Sequence, residues 1–207
     1  MVEAARMITS MLQHCPSNYA EQIVVRGDRV VVLGRNEKLQ DLPEFRNRVN
    51  DRSLQGRRGY NSLGVIVCAE ENLLCEERDD YRGYSVCMHE FAHSLDASFT
   101  KLDPPFKRLV VTAFRAAAED QRHIWSNTYA ASDPAEYFAE LSVSWFDASS
   151  KYPVPGSFNG IWSRQLLKGY DQFMSELLKR VYGDDQWRYS CADVCSGPIY
   201  EDLTCFV

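Results

Sequence analysis

Apolar positions along this chain alternate between helical stripes and short unbroken runs. Ala4, Ala5, Ile8, Met11 and Leu12 form a stripe that predicts a helix over residues 2–13, with His14 as a capping or surface residue at its end. Ile23-Val24-Val25 and Val30-Val31-Val32-Leu33 then make two short β runs around Arg26-Gly27-Asp28, where a hairpin or a helix-to-strand turn would both fit. Residues 34–61 are polar and loop-rich, with a short helix expected after Leu42-Pro43. Their arginines, among them Arg57 and Arg58, are expected on a solvated surface. The run from Leu63 to Ala69 predicts a strand, and the acidic Glu70, Glu71, Glu76 and Glu77 beyond it predict a solvated loop.

The second half is helical. Tyr81 to about Ser98 predicts a helix that is mostly buried, since Val86, Phe91, Ala92 and Leu95 leave little of it polar. Asp103-Pro104-Pro105 starts another, which continues over 106–121 through Leu109, Val110, Ala113, Phe114 and Ala117. Asp133 has the chemistry of an N-cap, Pro134 that of a first helical residue, and an apolar run follows to Phe146. Lys151 to Gly160 predicts a loop, and Ile161 to Val181 one last helix ended near Gly183. There is no internal repeat. This order predicts an α+β fold in a single domain over 1–207: an α/β part to about residue 80, a helical part over 81–183 and a cysteine-containing tail over 184–207.

Charge and composition exclude more than they assign. A net charge of −6 gives no electrostatic footprint for nucleic acid or an anionic membrane. No apolar run approaches the ~20 residues of a membrane span. Residues 2–14 mix Glu3, Arg6 and His14 into an amphipathic pattern, so no signal peptide is expected there. Of the seven cysteines, Cys191, Cys195 and Cys205 crowd into a tail of little apolar content, a habit of secreted chains held by crosslinks. Extracellular localisation is the expectation, with a cytosolic protein carrying reduced thiols as the alternative. No Asn-x-Ser/Thr sequon is present, which adds no support for secretion. Arg26-Gly27-Asp28 could signal adhesion, but Gly-Asp beside a β run is ordinary turn chemistry.

The chemistry concentrates in Cys87-Met88-His89-Glu90-Phe91-Ala92-His93. On a helix, His89 and His93 lie four apart on one face and can aim ring nitrogens at a common zinc ion. Glu90 is rotated away, within reach of a water at that ion, as a general base must be. A buried helix carrying two unpartnered imidazoles and a carboxylate would be costly, and a metal supplies the partner. A third protein ligand is needed. The metzincin continuation would place Gly and His where Asp96 and Phe99 stand, so that class is excluded. Asp96 is short and fits better as an acceptor behind a ligating ring. His14 and His123 lack a second ligand nearby, although His123 could serve as an oxyanion donor. Glu136 and Glu140 share one helix face, so one could bind zinc while the other accepts a ring N–H. A capping box from Asp133 to Glu136 and a solvated face for Glu140 are the competing explanations, and Glu119 is the fallback ligand.

These segments resemble the catalytic domain of anthrax lethal factor and the related Pro-Pro endopeptidases. The likeness lies in His89-Glu90-Phe91-Ala92-His93, in Tyr129 seven residues before Glu136, and in Glu136-Tyr137-Phe138-Ala139-Glu140. The stretch from Arg58-Gly59 to Glu70-Glu71-Asn72-Leu73-Leu74-Cys75 is similar more loosely, so the resemblance spans roughly residues 57–147. It implies a zincin-like fold and a zinc endopeptidase of the gluzincin type, with a peptide or protein substrate. His89, His93 and Glu136 would be the ligands, Glu90 the base and Tyr129 the oxyanion donor. In zinc peptidases of this layout a strand such as the one from Leu63 to Ala69 lies at the sheet edge and can pair with an extended substrate. A zinc-containing secreted binding or toxin-like module without turnover is the alternative.

Overall fold

A computed structural model describes residues 1–48, 50–122 and 124–190. Three strands form its sheet in the order β1 (Arg29–Leu33), β3 (Val65–Ala69), β2 (Tyr60–Ser62). β1 runs parallel and β2 antiparallel to β3. The strand expected at the edge is therefore the middle one, and the edge falls to β2. Leu63 and Gly64, at φ 55° and 74°, reverse the chain tightly and lay Tyr60–Ser62 outside β3. An apolar run buried on both faces carries no mark of middle or edge position.

The helices are α1 (Val2–Leu12), α2 (Ser17–Arg26), α3 (Glu70–Leu73), α4 (Val86–Leu102), α5 (Pro104–Glu119), α6 (Pro134–Trp145), α7 (Arg164–Tyr170) and α8 (Gln172–Tyr182). Ile23-Val24-Val25 belong to α2, not to a strand, and the connection to β1 is the helix-to-strand turn. Gly27, left-handed at φ 75°, caps α2 by donating its N–H to Val24 O. Val24 and Val25 are exposed, so their β-branched pairing signals no sheet. The adhesion reading fails here as well. Arg26 and Asp28 pair with each other at 2.6 Å, and Arg26 also donates to Ser94 O and Ser98 Oγ of α4.

α4 begins later than the helix expected from Tyr81, at Val86, because the Ser85 side chain accepts from Met88 N. Ser163 caps α7, and the stripe expected from Ile161 to Val181 breaks at Asp171, which ends α7 and starts α8. Gly169, two residues ahead, is the local sign of that break, and no proline marks it. The Asp171 carboxylate accepts from Met174 N, Trp125 Nε1 and Tyr137 OH.

The helices pack on the sheet face bearing Ile66 and Cys68. The opposite face, with Leu33, Val65 and Val67, is covered by Leu39, Phe45 and Leu54 from the loop-rich segment. That segment holds short 3-10 turns at Leu39–Asp41, Arg46–Arg48 and Arg52–Leu54 and contributes a small core of its own. A disulfide joins Cys68 of β3 to Cys87 of α4, and Cys15 is a free thiol. The three tail cysteines and His123 lie outside the described residues. Among those described, no helix is long and apolar enough to cross a membrane.

Candidate metal centre

Two buried helices supply the centre. α4 presents His89 and His93 one turn apart, and the first turn of α6 brings Glu136 against them. The two Nε2 atoms lie 3.0 Å apart, and Glu136 Oε2 lies 3.0 Å from the first and 3.3 Å from the second. Three ligands on a tetrahedral zinc with bonds of about 2.0–2.1 Å would stand about 3.3–3.4 Å from one another. The donor triangle fits that size closely. Glu136 Oε2 is buried and, among the described residues, no hydrogen-bond donor is aligned on it. Such an atom beside two imidazole nitrogens calls for a cation. Asp133 caps α6 by accepting from Ala135 N and Glu136 N, while the Glu136 carboxylate turns to the imidazoles rather than closing a capping box.

The electrostatics point the same way. Burial opposes charge on His89, yet Glu136 and Glu140 on its two sides outweigh that and push the ring up to about 10. Burial raises Glu136, but the two imidazoles reverse the sign and hold its carboxyl well below the usual range. Burial lifts Glu90 above an ordinary carboxylate, with His89 and His93 pulling it partly back. A lifted carboxylate beside a candidate metal position suits proton transfer.

Glu90 and the donor triangle line a cleft of about 600 Å³ bounded by Arg57, Gly59, Tyr60, Tyr129 and Phe158. Its floor is pinned from the sheet, where Asn61 of β2 donates to Glu90 O at 2.6 Å and to Ser94 Oγ at 2.9 Å. Gly59 makes the close approach possible, since a Cβ there would fall 2.0 Å from Val86 Cγ1. Tyr129 lies across the cleft, its ring centroid 6.1 Å from that of His89, and its hydroxyl donates to Glu136 Oε1 at 2.9 Å. Burial and the Glu136 carboxylate raise the Tyr129 hydroxyl, so it stays a donor.

Behind His89, Glu140 Oε1 lies 3.1 Å from Nδ1, the position anticipated for an orienting acceptor. Asp96 is placed differently. Both of its carboxylate oxygens are taken by Lys107 of α5, so the expected hydrogen bond behind a ligating ring is not made. Helical spacing puts Asp96 near His93 but carries no information about a cation arriving from another helix. Glu119 ends α5 and is not part of the triangle.

Two residues of this neighbourhood escaped the sequence reading. Tyr84 places its hydroxyl 2.7 Å from His89 Nδ1 and donates to Glu140 Oε1 at 2.7 Å. Asn72 donates to Tyr84 O and Asp79 Oδ2 and accepts from Val86 N, which ties the entrance of α4 to α3. Neither residue falls on a periodic stripe. A tyrosine just ahead of an N-cap serine and a lone asparagine in an acidic stretch were the only signals.

Helices crossing over a His-His-Glu triangle, beside a small sheet and above a cleft holding a free carboxylate, have the layout of a metallopeptidase. Residues 12–152 match the family described as glucose-regulated metallo-peptidase M90, and the chain belongs to it. Among solved structures, the Pro-Pro endopeptidase PPEP-2 from Paenibacillus alvei is similar in fold, with a TM-score of 0.50 at 16% identity. The alignment covers 88% of this chain and 92% of that one. No curated protein matches the chain. Family and fold together support metal-dependent peptidase activity, and the α+β architecture agrees with the sequence.

Proposed function

We propose that this chain is a zinc-dependent endopeptidase of the gluzincin type, with His89, His93 and Glu136 as the residues that would hold the ion. The observation that carries this reading is the donor triangle with sides of 3.0, 3.0 and 3.3 Å, beside the catalytic-type carboxylate of Glu90. Zinc bound there would lower the pKa of a water toward ~7 and polarise the scissile carbonyl.

The chain's own residues do the rest. Glu90 takes a proton from the attacking water and returns it to the departing amide nitrogen. Tyr129 turns its O–H from Glu136 toward the scissile carbonyl oxygen and stabilises the charge that develops there. Glu140 orients His89 from behind. The substrate is an extended peptide or protein segment, and β2 at the mouth of the cleft is the edge to which such a segment adds main-chain hydrogen bonds. The disulfide between Cys68 and Cys87 supports an oxidising, extracellular setting. The fold likeness to a Pro-Pro endopeptidase does not extend to that protein's cleavage preference.

Glu90 at the cleft weighs against a purely structural zinc site, which has no use for a base. The decisive experiment pairs elemental analysis with Glu90→Gln. The wild type should hold about one zinc per chain and cleave members of a mixed peptide library. The variant should keep the zinc and lose cleavage. A wild type that takes up no zinc on repletion, or a fully active variant, would overturn the reading.

A further inference from the structure

We propose that Tyr84 is a positioning residue of the metal centre, fixing the tautomer and ring orientation of His89 by bridging it to Glu140. This rests on the assignment of His89 as a ligand above. Tyr84 OH, His89 Nδ1 and Glu140 Oε1 form a closed buried triangle with sides of 2.7, 2.7 and 3.1 Å. A carboxylate oxygen can only accept, so one of the other two members must give it a proton. The hydroxyl does so, and its oxygen keeps lone pairs that face Nδ1. Nδ1 then has to be the protonated nitrogen, donating to the hydroxyl. In a neutral ring that leaves Nε2 with its lone pair aimed at His93 and Glu136, which is what a ligand needs. With Nδ1 unprotonated instead, two lone pairs would face each other 2.7 Å apart at a buried position.

The bridge is built rigidly. Asn72 Nδ2 holds Tyr84 O at 2.8 Å, Asn72 Oδ1 holds Val86 N at 2.9 Å, and Ser85 N donates to Ala148 O at 2.9 Å. The Tyr84 ring packs on Phe158 with centroids 4.9 Å apart, so its position does not depend on the hydroxyl alone. The disulfide at Cys87 pins the same entrance of α4 from β3. Glu140 alone would leave a longer contact to Nδ1, and the hydroxyl shortens the path.

The test measures zinc affinity of the full chain against a competing chelator, with Zn²⁺ as the only added ligand. Tyr84→Phe keeps the ring and removes the bridge, and should weaken zinc binding about 10–100-fold. Its thermal midpoint in chelator should stay near that of the wild type. Tyr84→Phe combined with Glu140→Ala should lose little more affinity than the larger single change, because both act through one nitrogen. Unchanged affinity in Tyr84→Phe, or strictly additive losses in the pair, would overturn the inference. A wild type without zinc affinity would instead defeat the metal site itself, so the two failures are distinguishable.

Discussion

Gly59 offers the sharpest test of how the cleft is assembled. An alanine there would place Cβ 2.0 Å from Val86 Cγ1 and 3.1 Å from Glu90 Oε1. Ordinary carbon contacts are about 3.5–4.0 Å, so the segment leading into β2 and the start of α4 would have to part by about 1.5–2 Å. Val86 is buried and β-branched, with no flexible end to swing aside. Overpacking of this kind costs about 1–3 kcal/mol. The functional loss should be larger than the stability loss, since Val86 opens the helix that carries His89 and Glu90, and a misplacement of about 1 Å can cost about 10²-fold in rate. Gly59→Ala should therefore lower kcat/KM by about two orders of magnitude while the chain still folds. Removing the struck atoms in Gly59→Ala/Val86→Ala should recover a large part of that loss. The measurement is peptide hydrolysis alongside the thermal midpoint of each variant. Wild-type kcat/KM in the single variant, or no recovery in the double, would show that this close approach does not set the site.

Other changes separate the roles assigned around the triangle. Glu136→Ala should weaken zinc by more than the about 10–100-fold typical of losing a group behind a ligand, as read by chelator competition; retained affinity would remove Glu136 from the ligand set. Tyr129→Phe should cut kcat by about 10²–10³ with zinc content unchanged, whereas an effect confined to KM would make Tyr129 a substrate-binding residue. Asp171→Ala should strip a helix cap and leave the Trp125 and Tyr137 donors buried without an acceptor. That loss should amount to about 4 kcal/mol, or a fall in Tm of about 10 °C for a chain of this size. A thermal melt within about 2 °C of wild type would refute that account.

Local chemistry carried much of the way from sequence to site. Asp103 and Asp133 each precede a proline at a helix start, and both cap as their residue types predict. His89-Glu90-x-x-His93 needs only a helix to put two rings on one face, and the residues around it are apolar enough to bury that helix. The failures share one cause. Val24 and Val25 have the composition of a strand but are claimed by a helix, and Asp171 breaks a stripe whose apolar positions continue on both sides of it.

The helix carrying His89 and His93, the two capped helix starts and the residue types able to gather around a metal were legible along the chain, because each depends on neighbours three or four positions apart. Which partners those residues meet is a matter of packing in three dimensions. Lys107 claims Asp96, Glu136 is drawn from its cap to the imidazoles, β3 is enclosed between two strands, and Tyr84 joins His89 to Glu140. Each of those contacts links segments that no periodicity relates, and their distances are set by how α4, α5, α6 and the sheet pack together.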